Sequence, residues 1–570
     1  MIRADLLVTN VNIFNAYMKR FYKGNAAILD GRFLHVGEAG AEEFDAARTV
    51  DGRGRYMIPG LIDIHMHIES TMVTPSSFSY GLLPNGVTTI VAEPHEMANV
   101  FGLRGVREMI KASKNCAVDI YYAIPSSVPA TELETSGGRI ELEDIEALLP
   151  EDRVICLGEI MNYMEVVHEP DCKTNRILNH ILQHHPKLIV EGHVPRLLGT
   201  ELSRFVFAGV DSDHTQQTVR GLDERIKAGV FVQVQELSMT REVMDYLISE
   251  PVSEHFCFVT DDVMPDDFVK KGHLNHLLRK AIGMGMAPED AIYAGTFTPA
   301  RRMRLSDRGS IAPGKIADFV LLSSLDEFRI DEVYKNGAKA FDSREEYPQQ
   351  LQLRQFPDDF YESVKLAPLV AADLVLKAPA EEGTIRCRTM TVADGTFFTE
   401  ERIDEFAVRG GEVRWQESPY ALVATFERYG RTSGNRALGL VGGNTIGRGA
   451  IATTYSHDNH NLIVVGRNAE DMLLAANEVI KHQGGYCVTE NGRVLAMLKL
   501  PVGGILSEEP LEQVAEDASR LVEAMIGLGY EHYTPIMSFS THSLPVSPGL
   551  KITDLGLVRV DEREIVSLFA

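Results

Sequence analysis

The chain is poor in cysteine, with six residues in 570, at positions 116, 156, 172, 257, 387 and 487, and no Cys-x-x-Cys pair. That spacing supplies neither a disulfide framework nor a thiolate zinc site, and leaves buried or idle thiols as the expectation. Long apolar runs are also missing. No stretch reaches the roughly 20 residues needed to cross a bilayer, so no membrane partner is expected. The opening residues, MIRADLLVTNVNIF, alternate apolar and polar positions around Asp5. They lack the apolar segment and small-residue cleavage site of a secretory signal, and a cytoplasmic location is expected. Positive charge is in deficit: Lys+Arg 56 against Asp+Glu 81 gives a formal net charge of -25. Such a surface repels phosphate backbones, so no nucleic-acid partner is expected. The glycine-rich VGGNTIGRG (441–449) is not followed by Gly-Lys-Ser/Thr and has no dinucleotide-binding context, so it reads as a turn. No internal repeat stands out.

What is present is an ordinary globular composition, 44% hydrophobic and 24% charged. The length exceeds one core and suggests about three domains. The first stretch, with LLVTNVNIF, AAILDGRFLHVG and ARTVDGRGRYMIPG, reads as short strands broken by turns. From Leu61 apolar, β-branched runs recur at 61–67, 87–93, 118–124, 154–159, 188–193, 207–213, 230–236 and 256–261. Segments of helical periodicity such as LRGVREMIKAS, ILNHILQHH and REVMDYLIS separate most of them. Eight strands alternating with helices fit an α/β fold of the (β/α)8 barrel type. A doubly wound open sheet has the same pattern, because periodicity does not show closure.

Strand patterning returns in RGSIAPGKIADFVLLSSLDEFRIDEVYKNGAKA (308–340), read as a continuation of the N-terminal β-structure. The expected organisation is a discontinuous small β-sandwich at 1–58 and 305–345 and a catalytic barrel at 59–304. A connector at 346–372 and an additional C-terminal α/β domain at 373–570 complete it.

Polar residues cluster at the C-terminal ends of the barrel strands. His65 and His67 close the first as His-Met-His and, with a strand period of two, project to the same side. Glu159 closes the fourth, His193 the fifth and Asp261 the eighth, while His214 follows the sixth. In a barrel these ends converge on one mouth, where this fold places its active sites. Four imidazoles and two carboxylates can together hold two divalent ions. His95, with Glu93 and Glu96, follows the second strand at the same mouth, either as a substrate contact or as a charge cluster at a helix N-terminus. Glu236 at the end of strand seven is a further catalytic candidate, and Asp262 a support for Asp261 or a histidine. His457, Asp458 and His460 could cap the mouth from the C-terminal domain or lie in a surface loop.

PGLIDIHMHIES resembles the start of amidohydrolase-superfamily barrels, and TFTPARRMRLSDRGSIAPGKIADFVLL resembles the stretch that leaves the barrel for the β-sandwich. Within and beyond the barrel, HIESTMVTP, AEPHEMANV, LGEIMNY, VEGHVP, SDHT, VTDD, YSHDNHNLIVVGRNAEDM and LKLPVGGILSEE resemble the adenine deaminase family. The resemblance spans nearly the whole chain. It departs at strand seven, where VQELS stands in place of an Arg-Glu-Gly-Ser-like run, so the resemblance does not carry over the substrate contacts of Gln235 and Glu236.

The resemblance implies one metal on His65, His67 and Asp261, a second on His193 and His214, and Glu159 between them. The ions would be Mn²⁺ or Fe²⁺, with Zn²⁺ also fitting, and the activity a metal-assisted hydrolysis of adenine to hypoxanthine and ammonia. Asp261 would carry protons, the partner would be a small-molecule purine, and a homo-oligomer is expected. A cyclic-amide hydrolase is the rival reading. Such enzymes commonly bridge their metals through a carboxylated lysine on strand four, where this chain has Glu159. A cytosine- or guanine-type deaminase is a closer rival, and a non-catalytic relative would have lost ligands that this chain keeps.

Overall fold

The computed structural model describes residues 1–432 and 434–570. Its N-terminal strands, Ile2–Asn15, Arg20–Leu29, Arg32–Gly37, Phe44–Asp51 and Tyr56–Pro59, share one sheet with Phe319–Ser324, Arg329–Lys335 and Ala338–Asp342. The join is antiparallel, with Val320 opposite Ile58, so a single sheet is assembled from two distant segments. Two of its hairpins follow directly from sequence. Asp30-Gly31 and Asn336-Gly337 each place two consecutive residues at positive φ (50° and 72°, 51° and 74°), as a two-residue turn matched to strand twist requires.

The barrel begins at Leu61–Met66 and continues through parallel strands Val87–Ala92, Asp119–Ile124, Val154–Ile160 and Ile189–Gly192. A second parallel group contains Ser212–Asp213, Phe231–Val234 and Phe256–Phe258. The ring closes where the Asp261 N–H donates to the His65 carbonyl at 3.1 Å. Between the fifth and sixth strands side chains do the joining: the Gly192 N–H reaches Ser212 Oγ and the Val194 N–H reaches Asp213 Oδ1, both at 3.0 Å. The closed alternative, not the open sheet, is therefore the one formed.

Strand six is shorter than the run 207–213 suggests. Helix Gly199–Phe207 claims Phe207, which is 91% exposed, and Gly209 at φ 104° turns the chain before Ser212. The apolar residue there ends a helix instead of opening a strand, and only a residue without Cβ takes that φ cheaply.

Beyond the β-sheet, residues 346–372 carry the short 3₁₀ turn Asp358–Tyr361, whose Phe360 stacks on Phe101 of the barrel at 3.8 Å, and the start of another at Ala371–Leu374. The C-terminal domain is a nine-stranded mixed sheet running from Glu382–Val392 to Arg493–Lys499. Helices Ala469–Lys481 and Leu511–Gly527 pack on it, and a three-stranded meander follows at 550–566. The first helix starts where Asn468 accepts from the Asp471 N–H, an N-cap. This domain lies over the barrel mouth: Asn459 Nδ2 donates to Glu134 Oε2 at 3.0 Å, and the Thr135 N–H to Asp554 Oδ1 at 2.9 Å. Among the described residues no helix is long and apolar enough to cross a membrane.

Candidate active site

The His-Met-His sequence carries its first imidazole on the end of a strand and its second two residues on, so both turn into the mouth, 3% and 2% exposed. Asp261 arrives from the other end of the barrel sequence. Its φ of 57° lies in the left-handed region, which a short polar residue tolerates, and the backbone there folds the carboxylate back over the two histidines. Asp261 Oδ1 lies 3.5 Å from His65 Nε2 and 3.4 Å from His67 Nε2.

Glu159 stands between two groups of imidazoles. Its Oε1 is 3.6 Å from His67 Nε2, while its Oε2 is 3.0 Å from His193 Nδ1 and 3.2 Å from His214 Nε2. His193 Nδ1 and His214 Nε2 are themselves 3.1 Å apart, and the His65 and His214 rings stack at 3.8 Å. All six sequence-derived ligand candidates thus meet in one place.

The donor set fits divalent metal. His65 Nε2 is sealed from solvent and makes no hydrogen bond among the described residues, although Asp261 lies beside it. Imidazole nitrogens and carboxylate oxygens are the ligands of Zn, Fe and Mn. The His67 tautomer agrees, because Nδ1 faces the Glu93 carbonyl at 3.0 Å, an acceptor only, and must donate. That leaves the Nε2 lone pair aimed at Asp261 and Glu159. Burial would push the Asp261 carboxyl up, but His65, His67 and the charge of His214 outweigh it and hold it well below the usual carboxylate range. Glu159 is held low in the same way, against burial, by His214 and His193.

Several buried groups position these six. Asp63, two residues before His65, accepts from the Thr260 hydroxyl at 2.7 Å and from the Thr260 and His65 N–H groups at 3.1 and 3.2 Å. It ties the first strand to the segment that delivers Asp261. Asp213 accepts from the Val194 and Thr215 N–H groups at 3.0 Å and from Gln217 Nε2 at 2.7 Å, and is ion-paired with Arg225. It therefore fixes the residues adjacent to both His193 and His214. Glu93 Oε2 accepts the Glu159 N–H at 2.7 Å. Asp63 and Asp213 were missed from sequence, though Asp63 shares the two-residue period of His65 and Asp213 adjoins His214.

The structure also distributes the remaining candidates. His95 sits at the centre, its ring 4.6 Å from that of His67 and its Nδ1 4.0 Å from Glu159 Oε1. Glu236 is not brought into the cluster. Its carboxylate is ion-paired with His276 Nε2 at 3.0 Å and Lys280 Nζ at 2.9 Å, with a side chain 40% exposed. The strand Phe231–Val234 has already ended and Glu236 opens a 3₁₀ turn, while Gln235 before it donates to the His214 carbonyl at 2.9 Å. Asp262 accepts from Ser70 Oγ instead of supporting a ligand directly. His457, Asp458 and His460 are buried at the mouth, not in a surface loop.

Residues 56–339 match the model of the amidohydrolase family, and residues 396–564 that of the adenine deaminase C-terminal domain. The chain is 56% identical over 566 residues to a Shouchella clausii protein named adenine deaminase 2, covering 99% of each. It is 48% identical over 574 residues to a Clostridium perfringens protein named adenine deaminase, covering 100% of each. The crystal structure of an adenine deaminase aligns with 60% of this chain and 100% of its own, at 15% identity and a TM-score of 0.44.

Proposed function

The chain belongs to the adenine deaminase family of amidohydrolases, and from that premise we propose how it hydrolyses adenine to hypoxanthine and ammonia. Two divalent ions would be held in the mouth, Mn²⁺ or Fe²⁺, with Zn²⁺ also suited to the donors. His65, His67 and Asp261 would hold one and His193 and His214 the other, with Glu159 between the two groups. When bound, they supply a nucleophilic water at neutral pH and Lewis acidity at the reacting carbon. The observation that carries this reading is Glu159, whose two oxygens face opposite imidazole groups.

The protein's own groups do the rest. Asp261 accepts a proton from the water that attacks C6 and returns it to the departing amino nitrogen. His95 Nδ1, buried and without a hydrogen-bond partner among the described residues, faces the centre and meets the purine ring there. Asp63, Glu93 and Asp213 hold the ligand set in register. The C-terminal domain closes over the mouth and excludes bulk water, which strengthens each of these interactions. Glu236 lies outside this set, engaged with His276 and Lys280. The protein acts as a homo-oligomer in the cytoplasm, a form that sedimentation and fractionation would report.

The test is an ammonia-release screen of metal-loaded protein across purines, pyrimidines and cyclic amides. Adenine is expected to be converted, with the absorbance change of hypoxanthine formation, and adenosine to react poorly. Faster turnover of adenosine or dihydroorotate would refute the substrate assignment.

A further inference from the structure

The reaction leaves His457, Asp458, Asn459 and His460 of the C-terminal domain without a task, yet all four are buried against the barrel. Asn459 donates to Glu134 Oε2, while the other three surround Glu96, on the short helix His95–Phe101 that follows the second barrel strand. Glu96 Oε2 is taken by His460 Nε2. Glu96 Oε1 is different: it is sealed from solvent and accepts no hydrogen bond among the described residues, although His457 Nδ1 lies 2.5 Å and His95 Nε2 3.4 Å away. Asp458 adds a second carboxylate. Its Oδ1 is 3.6 Å from His457 Nδ1, and its Oδ2 is buried with no partner among the described residues. Donor atoms of His95, Glu96 and Asp458 all fall within 4.8 Å of one another.

Two buried carboxylates this close repel, and an unpaired buried oxygen costs about 1–3 kcal/mol, more when charged. Something positive must stand among them. An imidazolium at His457 would have to aim its N–H at Glu96 Oε1, and that contact is not aligned as a hydrogen bond. Donors of a tetrahedral ion at about 2.1 Å sit roughly 3.4 Å from each other, close to the separations at His95–Glu96 and His457–Asp458, while His457 Nδ1 and Glu96 Oε1, 2.5 Å apart, would have to spread on binding. His65 and Asp261 show the same signature at the main centre, a donor nitrogen left unbonded beside a carboxylate.

We propose that Glu96, His457 and Asp458, with His95 Nε2 as a fourth donor, hold a further divalent transition-metal ion between the barrel and the C-terminal domain. The mixed nitrogen and oxygen set suits Mn, Fe or Zn over calcium or magnesium. The ion lies beside the Glu159 centre but shares none of its six ligands. His95 joins the two, with Nδ1 towards Glu159 and Nε2 towards Glu96. Because its donors come from both domains, the ion pins the cover onto the mouth. This assignment is independent of which heterocycle is deaminated.

The experiment uses full-length protein saturated with Mn²⁺ alone. Anomalous diffraction at the manganese edge is expected to show a peak among Glu96, His457 and Asp458, separate from the peaks beside Glu159. The double variant His457→Gln, Asp458→Asn is expected to bind one ion fewer per chain while the Glu159 peaks persist. No peak at Glu96 in the parent protein would overturn the proposal, as would a variant with the parent's full metal content. If the variant fails to fold, the parent map alone decides.

Discussion

Replacing Asp213 by Asn tests whether the ligand set is held from behind. Asp213 is fully buried and paired with Arg225, 3% exposed, and its oxygens collect N–H groups next to His193 and His214. Removing one member of a buried ion pair costs about 3–5 kcal/mol, because the other charge is left uncompensated. Arg225 keeps the Val194 and Gly221 carbonyls as acceptors, which favours the low end, about 3 kcal/mol. For a barrel-sized domain about 2–4 °C accompanies each kcal/mol, so the metal-free protein should melt about 6–12 °C lower. A second effect separates positioning from simple destabilisation. Loss of a group that orients metal ligands lowers affinity about 10–100-fold. At fixed excess Mn²⁺ that removes about a further 1.4–2.7 kcal/mol of ligand stabilisation. The gap between variant and parent should therefore be wider in the metal-loaded forms than in the metal-free forms. Thermal scans of both forms, with a Mn²⁺ titration, read the two effects. A variant with the parent's melting temperature and Mn²⁺ affinity would refute the reasoning, and equal gaps would refute the positioning role.

The remaining predictions concern charge at three other places. Glu159→Gln should lose one ion of the centre and most activity, because an amide offers neither the charge nor two equivalent oxygens; normal turnover with unchanged metal content would exclude the bridge. Since the carboxylate arrives already charged, reconstitution of the parent should need no bicarbonate. Asp261→Asn should lower kcat at least about a hundredfold by removing the proton carrier, and near-normal kcat with full metal content would assign the proton transfer elsewhere. Lys551 is fully buried and burial lowers its pKa to about 7, with its Nζ donating to the Phe397 carbonyl. The unfolded chain, with a lysine pKa of about 10.4, binds more protons than the fold between those values, so the penalty for burying the amine is full below pH 7 and fades towards pH 10. Lys551→Met should accordingly raise the melting temperature more at pH 6.5 than at pH 10, and a gain independent of pH would show that the amine is not buried as charged.

Much of the centre was legible because ligand chemistry and strand period are local. His-Met-His announces two imidazoles on one side, and histidine or carboxylate at successive strand ends announces a shared mouth once a barrel is assumed. Glu236 shows where this reasoning stops. Its strand stops at Val234, so Glu236 falls in the 3₁₀ turn that follows and pairs with His276 and Lys280, while Gln235 bonds the His214 carbonyl. The residue number that faces the mouth depends on where each strand ends, to within one position, and sequence does not locate ends that finely.

Local pattern alone marks the alternation of strands and helices and the six candidate ligands in their order, since strand period and residue chemistry are read from neighbours in the chain. Only the tertiary structure decided that the strands close into a ring, through the Asp261 N–H and the His65 carbonyl. It also decided that Asp213 serves two histidines, and that His457 and His460 meet Glu96 some 360 positions away. Those pairings join residues with no local periodicity in common. They form because burying a carboxylate forces it to find partners wherever the folded chain brings them.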